Sequence, residues 1–275
     1  MKRHTAVPDL IMHKFFLVTN KSKEGTEELA EKIKARIEEK GGIVLQDKPA
    51  EDTECILVLG GDGTFLRAAR EYAAYDLPMM GINTGSLGFL TQASGENALE
   101  AVDHLIADEF ILTKRTELLC SYDGLEKITA LNDVVISRGG YSHLVGIMIF
   151  VNDNLFSVYE GDGVIISTAT GSTGYNLSTG GPIMAPGVNA LLITPICPHA
   201  LGVRSFVISG DDKVKIKIRG NRHRESSPAY VTVDGEDYTT LDPDEEIEIS
   251  KAVSKCKMIT LKSTSFIETL KNKFY

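Results

Sequence analysis

The sequence predicts an α/β N-terminal domain with a mostly parallel sheet, followed by a β-rich C-terminal domain. Two observations support this division. Up to about residue 113, short apolar runs alternate with amphipathic helical segments, which is typical of a parallel sheet covered by helices. Beyond that position, apolar runs follow one another with turn signals between them, such as Asn152-Asp153 and Asp234-Gly235, which indicates consecutive strands.

The first domain alternates predicted strands and helices. The strands cover residues 15–18, 42–45, 55–59 and 78–82. The helices cover residues 24–40, 65–74 and 96–107. In the first helix, Leu29, Ile33 and Ile37 share one face, and the pair Gly41-Gly42 ends the helix.

The second domain is predicted to consist of short strands. They cover residues 118–122, 128–137, 145–151, 158–166, 203–208, 214–218, 230–233, 247–249 and 258–262. A closing helix over residues 266–274 is expected to return to the first domain. The predicted domains are therefore 1–113, completed by 264–275, and 114–263.

Composition limits the classes of function. Hydrophobic residues make up 43% and charged residues 24% of the 275 residues, which is globular composition. A net charge of −9 disfavours nucleic acid and anionic membranes as partners. We find no apolar stretch of about 20 residues and no signal peptide, so we expect a cytoplasmic protein. The four scattered cysteines are expected to be buried apolar residues rather than metal ligands.

The strongest chemical signal is the motif GGDGT at positions 60–64, between a predicted strand and a predicted helix. Glycines let the backbone approach a phosphate or sugar closely, and a helix N-terminus favours an anion. Thr64 is a candidate N-cap. The motif has neither the lysine of a P-loop nor the spacing of the dinucleotide fingerprint. Asp62 can accept the proton of an attacking hydroxyl, as in kinases, or it can serve only to shape the turn.

Two further segments indicate a ligand site. A loop at 83–89 follows the next strand, and ligands of open α/β sheets bind beyond the carboxyl ends of strands. An ordinary tight connection is the alternative for this loop. The segment 161–178 is rich in hydroxyl groups and glycines and contains Tyr175 and Asn176. Such a run can hydrogen-bond a ribose and a base edge, and tyrosine can stack on a base.

Weaker signals come from polar residues elsewhere. Asn132 and Asp133 interrupt an apolar strand, either as a ligand-binding pair or as a bulge. His143 and His199 lack an obvious carboxylate or serine partner in the sequence, so each is either an acid–base group or a structural residue.

Together these motifs resemble the NAD kinase family, whose members transfer a phosphoryl group from ATP, another nucleoside triphosphate or polyphosphate to the adenosine 2′-hydroxyl of NAD. The segments that carry the resemblance stand in the family's order and approximate spacing. They are 60–64, 83–90, 131–133 and 162–182. The resemblance covers most of the chain and implies that residues 114–263 bind NAD.

The resemblance also implies a role for each matching residue. Asp62 matches the general base, and the substrate-binding positions are Gly63, Arg67, Asn132, Asp133, His143, Asp162, Thr173, Gly174, Tyr175, Asn176 and Ser178. It implies Mg²⁺ or another divalent cation delivered with the triphosphate, and a homodimer or homotetramer that shares the site across subunits. No protein ligand to the metal is predicted.

The chain departs from the family pattern at three positions. Glu160 stands where several relatives carry arginine, so the preference between NAD and NADH is open. Gly174 is often alanine in the family, and His143 occupies a position that is basic in some members only. Two other functions share the GGDGT loop or its architecture, namely a lipid kinase and a non-catalytic NAD(P) sensor. The hydroxyl-rich segment 168–178 favours a nucleoside over an acyl chain.

Overall fold

A computed structural model of the chain describes residues 12–20, 25–85, 88–139, 144–219, 228–262 and 265–274. They divide into two compact units, one made of the described residues up to Lys114 and from Cys256 onward, and the other of residues 115–255. His143 lies outside the described residues.

The described residues form seventeen β-strands and five α-helices. The elements before residue 110 are β1 (Lys14–Thr19), α1 (Thr26–Glu39), β2 (Ile43–Leu45), β3 (Cys55–Leu59), α2 (Asp62–Glu71), β4 (Met79–Asn83), β5 (Thr91–Ser94) and α3 (Ala98–Ile106). The elements after it are β6 (Phe110–Ser121), β7 (Ile128–Ala130), β8 (Asp133–Arg138), β9 (Val145–Val151), β10 (Asn154–Gly161), β11 (Gly163–Thr168), α4 (Tyr175–Ser178), β12 (Ala190–Ile196), β13 (Phe206–Ser209), β14 (Val214–Ile218), β15 (Ala229–Val233), β16 (Glu236–Leu241), β17 (Glu246–Leu261) and α5 (Phe266–Phe274).

The first unit contains a parallel sheet, as the sequence predicts. Its strand order is β2-β1-β3-β4-β5, with every pair parallel, and Met258 of β17 pairs with Met79 of β4. The apolar stripe of α1, which includes Ile33 and Ile37, packs with α3 against one face of this sheet. On the other face, the ring of Phe16 in β1 contacts the ring of Tyr72, the residue directly after α2. The ring centroids are 4.9 Å apart, in an edge-to-face arrangement. The sheet is therefore covered on both faces.

The second unit is built from antiparallel strands. One sheet has the order β13-β12-β11-β8-β15-β16, and β10, β9, β14 and the first half of β17 form a second antiparallel set. A single cluster of buried side chains, among them Ile136, Ile147, Ile166 and Ile216, lies between these strands. Alternating apolar residues along each strand supply this core, which is the expected pattern for two packed sheets.

Several predicted element boundaries are wrong in the second unit. The expected strand 158–166 is two strands that break at Asp162, because β10 pairs with β9 whereas β11 pairs with β8 and β12. Glycine makes this change possible: a Cβ on Gly163 would lie 2.3 Å from the Ile136 carbonyl oxygen. The expected strand 128–137 likewise breaks at residues 131–132.

Other differences concern further strands and one of the cysteines. Strand β12 is buried along its whole length and lies outside the predicted strands, and its Pro195 stands opposite Val164 in the pairing with β11. Strands β5 and β16 were also not predicted, and the expected strands 247–249 and 258–262 are parts of the single strand β17. Cys55, Cys120 and Cys256 are buried as expected, but Cys197 is exposed, because it lies in the turn after β12 with a φ of 43°.

The closing helix α5 has the predicted bounds and belongs to the first unit. Its Phe266 contacts Phe89 with ring centroids 6.4 Å apart, and the Lys273 ammonium lies 4.9 Å from the centre of the Phe89 ring. Among the described helices, none is both long enough and apolar enough to cross a bilayer.

Candidate active site

The GGDGT loop lies between β3 and α2 in the first unit. Helix α2 begins at Asp62 with Gly61 as its N-cap, so the expectation that Thr64 caps the helix is wrong. Thr64 is buried instead, and its hydroxyl oxygen accepts a hydrogen bond of 3.3 Å from the Asn20 amide. A Cβ on Gly60 would lie 2.4 Å from the Thr64 Oγ1 atom, so this tight turn requires glycine at position 60.

Asp62 is held by the loop that follows β4. Its Oδ2 atom accepts a hydrogen bond of 2.9 Å from the backbone N–H of Phe89, and its Oδ1 atom accepts one of 3.1 Å from Leu90. Gly88 allows this approach, because a Cβ there would lie 1.8 Å from Asp62 Oδ1. The carboxylate therefore has a fixed position at the carboxyl edge of the parallel sheet.

The second loop has its own anchors. The Asn83 Oδ1 atom accepts a hydrogen bond of 2.8 Å from Gly85 N–H, which is the geometry of an Asx-turn. The Thr91 hydroxyl oxygen accepts hydrogen bonds from Gly88 N–H at 2.9 Å and from the Asn83 amide at 3.4 Å. These contacts fix the path of residues 88–90, and with it the two amides that hold Asp62.

Two more predicted site residues of this unit lie on α2. Gly63 and Arg67 are both exposed. Apart from its chain neighbours and the backbone of its own helix, no heavy atom of the described residues lies within 4 Å of the Cβ position of Gly63, so the backbone is open on that side. Asp62, Gly63 and Arg67 thus share the first turns of one helix, but Asp62 is the member that the adjacent loop holds.

In the second unit, Asn132 and Asp133 lie where β7 gives way to β8. The Asp234 carboxylate accepts hydrogen bonds from three consecutive backbone N–H groups, those of Leu131 and Asn132 at 2.8 Å and that of Asp133 at 3.1 Å. The Asp234 N–H donates in return to the Asp133 carbonyl at 3.0 Å. The predicted pair is therefore part of a tightly bonded turn rather than a bulge within a strand.

The side chains of this pair have contrasting environments. Asp133 is buried, and burial together with the charge of Asp234 raises the pKa of its carboxyl group to about 7. The Asn132 Oδ1 atom is buried and has no hydrogen-bond partner among the described residues. A buried acceptor without a partner is costly in a folded protein, so this carbonyl is available to a donor from a ligand.

Much of the hydroxyl-rich segment is bonded within the protein. The Thr168 hydroxyl donates to the Leu131 carbonyl at 2.6 Å, and the Ser172 hydroxyl donates to the Ala169 carbonyl at 2.7 Å. The sequence suggested that these hydroxyls face a ligand, but in the structure the Thr168 hydroxyl fixes the segment to the turn at residues 131–133 and the Ser172 hydroxyl bonds within its own loop.

The buried side chain of Asn176 is also engaged internally. Its amide donates to the carbonyls of Ser172 and Pro182 at 2.9 and 3.0 Å, and its oxygen accepts a hydrogen bond of 2.6 Å from the Thr194 hydroxyl. It therefore ties this loop to β12. By contrast, Tyr175 is 47% exposed, Ser178 is exposed, and Thr173 and Gly174 are half-buried.

Asp162, another predicted site residue, lies at the break between β10 and β11. Its Oδ1 atom accepts a hydrogen bond of 2.7 Å from the Arg138 Nε group, and both side chains are about one-third exposed. Glu160 is exposed. Sequence reasoning missed Arg138 and Asp234. The Asp234-Gly235 pair was read as a turn signal, and nothing in the local sequence indicates that its carboxylate binds backbone groups about a hundred residues away.

No group of three histidine, cysteine, aspartate or glutamate side chains suited to hold a metal ion occurs among the described residues.

Comparisons with known proteins show which family the chain resembles. Residues 9–110 match the family model of the ATP-NAD kinase N-terminal domain, and residues 131–261 match that of the ATP-NAD kinase C-terminal domain. The NAD kinase of Lachnoclostridium phytofermentans is 37% identical over 282 residues, which cover 96% of this chain and 99% of that protein. An NAD kinase of Clostridium botulinum is 38% identical over 245 residues, or 88% of this chain and 84% of that protein.

Two solved structures are also similar. Yeast NADH kinase complexed with NADH has a TM-score of 0.85 at 23% identity, covering 95% of this chain and 87% of that one, which supports the fold alone. An NAD kinase from Archaeoglobus fulgidus in complex with ATP has a TM-score of 0.76 at 25% identity, covering 94% and 98%. The fold and the glycine-flanked carboxylate define a two-domain kinase. The chain belongs to the NAD kinase family.

The contact between Gly88 and Asp62 generates a first prediction. Gly88→Ala places a methyl group where Asp62 Oδ1 lies, so the carboxylate must move. Because a displacement of about 1 Å at a reacting group can reduce the rate about 10²-fold, we expect a loss of NADP formation of that order. Gly95→Ala is the matched control, since its nearest neighbour is an ordinary contact at 3.5 Å. A Gly88→Ala rate equal to that of the control would contradict the fixed position of Asp62.

The buried Asp133 carboxyl generates a second prediction. Its pKa is about 7 in the folded chain and about 4 when unfolded, so the folded state binds more protons between these pH values. The free energy of unfolding therefore falls as the pH rises from about 4 to 7, by on the order of 2–4 kcal/mol. Asp133→Asn should remove this fall, which urea unfolding at pH 5 to 8 measures. Asp153→Asn, at a side chain 87% exposed, should keep the parental pH dependence.

Proposed function

We propose that this chain transfers the terminal phosphoryl group of ATP to the adenosine 2′-hydroxyl of NAD, with Asp62 as the general base. One observation carries the proposal for Asp62: its carboxylate is fixed by the Phe89 and Leu90 amides at the carboxyl edge of the parallel sheet. Membership of the NAD kinase family supports the reaction.

The two amide contacts are compatible with a role as base. Each carboxylate oxygen has two lone-pair positions, and the amides of Phe89 and Leu90 occupy one on each oxygen of Asp62. A further lone pair remains for a substrate hydroxyl. A sugar hydroxyl is a weak nucleophile, and a positioned base contributes about 10²–10⁴-fold to the rate. Alignment of the hydroxyl with the phosphate supplies much of the rest.

We assign dinucleotide binding to the second unit. The unpartnered Asn132 carbonyl can accept a hydrogen bond from a base or ribose, and the Asp133 carboxyl lies beside it in sequence. The exposed Tyr175 ring offers a face for stacking, while Thr173, Gly174 and Ser178 offer a partly accessible backbone and hydroxyls. In this proposal Asn176 positions the loop through its three internal hydrogen bonds.

Two other predicted residues, Arg67 and Asp162, have narrower roles in the proposal, and Glu160 bears on the choice of substrate. Arg67 is an exposed cation on α2 suited to a phosphate oxygen. Asp162 meets the ligand together with Arg138, with which it is paired. The exposed Glu160 cannot donate a hydrogen bond to a ligand carbonyl, which distinguishes this chain from relatives with arginine there. A comparison of initial rates with NAD and with NADH decides the preference.

Mg²⁺ or another divalent cation enters this proposal as part of the triphosphate substrate, because the described residues offer no cluster of ligands of their own. Excess chelator should abolish phosphoryl transfer, while binding of NAD should persist. A loss of NAD binding on chelation would contradict this assignment.

We further propose a cytoplasmic homodimer or homotetramer with the site shared between subunits. Exposed apolar residues on β10 and β13 support an interface between copies: Leu155, Phe156, Phe206 and Val207 are 39–58% exposed, and the Phe156 and Phe206 rings are 4.6 Å apart. Apolar side chains that are exposed next to one another are typical of a face covered by a partner. Light scattering measures the mass, and a monomer at assay concentration would contradict the proposal.

The role of Asp62 generates a third prediction. Asp62→Asn removes the base and should lower kcat for NADP formation about 10²–10⁴-fold with little change in KM for NAD. Asp47→Asn, at an exposed position of the same unit away from the GGDGT loop, is the matched control and should keep the parental kcat. Equal kcat for the parent and Asp62→Asn would remove Asp62 as the base. A parent chain that phosphorylates a lipid but makes no NADP from NAD, ATP and Mg²⁺ would contradict the proposed function.

A further inference from the structure

The turn that carries Asn132 and Asp133 is fixed from two sides. On one side, the Asp234 carboxylate accepts three consecutive backbone N–H groups, from Leu131, Asn132 and Asp133, at 2.8–3.1 Å. On the other side, the end of β11 binds the carbonyls of the same turn. The Thr168 N–H donates to the Asn132 carbonyl at 2.9 Å.

The contacts with the end of β11 and with Gly171 also hold the turn in place. The Ser167 hydroxyl also donates to the Asn132 carbonyl, at 3.2 Å, and a Cβ on Gly171 would lie 2.2 Å from that oxygen. The backbone polar groups of the turn are therefore engaged by the protein. What remains for a ligand is the pair of side chains, Asn132 and Asp133.

Asp234 reaches the turn because of its own backbone conformation. Asp234 and Gly235 have φ values of 49° and 80° and form the two-residue hairpin between β15 and β16. Two consecutive residues at positive φ are typical of a type I′ hairpin, in which asparagine is as well accepted as aspartate. The hairpin would thus also form with Asn at this position, so the hairpin itself does not need a carboxylate. The carboxylate of Asp234 instead accepts hydrogen bonds from the amides of the turn at residues 131–133.

We infer that Asp234 is a positioning residue for substrate binding, because its carboxylate sets the direction in which Asn132 and Asp133 present their side chains to the dinucleotide. This inference rests on the proposed function, since it concerns the same NAD site. It assigns Asp234 no contact with the substrate. Its effect should therefore appear in the binding of NAD and not in the binding of ATP or in the transfer step.

The pH dependence of NAD binding distinguishes a positioning role of Asp234 from a merely structural role. Burial raises the pKa of the Asp133 carboxyl, and the negative charge of Asp234 raises it further, while Arg138, at the far end of β8, is paired with Asp162. A ribose hydroxyl binds better to an ionised carboxylate, because that form accepts hydrogen bonds and charge strengthens them. KM for NAD should therefore fall as the pH rises through about 7, and the midpoint should depend on the charge at position 234.

The test compares the parent with Asp234→Asn, Asp234→Glu and the control Asp153→Asn, which occupies the equivalent hairpin between β9 and β10 at a φ of 63°. In Asp234→Asn the side chain keeps one acceptor oxygen, but its NH2 group takes the place of the other oxygen and faces a backbone N–H donor. This substitution should raise KM for NAD about tenfold, with kcat and KM for ATP changed less than about twofold. Loss of the charge should also lower the midpoint of the pH profile.

Asp234→Glu retains the charge and displaces the carboxylate by one methylene, so it should raise KM for NAD while keeping the parental midpoint. It also carries the test if Asp234→Asn does not fold, which thermal melting decides. Parental values of KM and midpoint in the folded variants would overturn the inference. Equal losses in kcat and in both KM values would overturn it too, because they would indicate general damage.

Calorimetric titration with NAD separates this inference from the proposed function. If the parent makes no NADP, the kinase proposal fails, but the Kd for NAD still decides the role of Asp234. A parent that forms NADP, with the same NAD affinity in Asp234→Asn and Asp153→Asn, would leave the kinase proposal intact and remove Asp234.

Discussion

The parallel pairing of β3 with β4 is the constraint on which the first unit depends. Because the two strands are neighbours and run in the same direction, the loops that follow them emerge at the same edge of the sheet. This allows backbone amides of the second loop to reach the carboxylate that begins α2. An antiparallel neighbour would carry its loop at the opposite edge, and Asp62 would then lack the two donors that hold it.

Both units use a carboxylate as an acceptor for consecutive backbone amides. Asp62 accepts two N–H groups and Asp234 accepts three. A charged acceptor makes stronger hydrogen bonds than a neutral one, and each such group can fix a loop that no regular ladder stabilises. The two carboxylates differ in the role that we assign to them. Asp62 takes part in proton transfer, whereas Asp234 orients the side chains of Asn132 and Asp133.

The burial of the Asp133 carboxyl group lowers the stability of the folded chain at neutral pH. A carboxyl group removed from water beside a second carboxylate resists ionisation, which raises its pKa to about 7. The neighbouring Asn132 carbonyl is buried and has no hydrogen-bond partner among the described residues. A buried acceptor without a partner is costly, and a perturbed pKa beside it is typical of functional sites, which supports our assignment of NAD binding to this turn.

The sequence by itself determined the alternation of strands and helices in the first unit, the β-rich character of the second, and the glycine loop with Asp62. These features are local: apolar periodicity, glycine and turn residues act within a few positions. Tertiary structure alone decided the break at Asp162, the buried strand containing Pro195, and the capture of the turn at residues 131–133 by Asp234. Each of these depends on a partner distant in the chain, and the hydrogen bonds that specify it leave no periodic mark in the sequence.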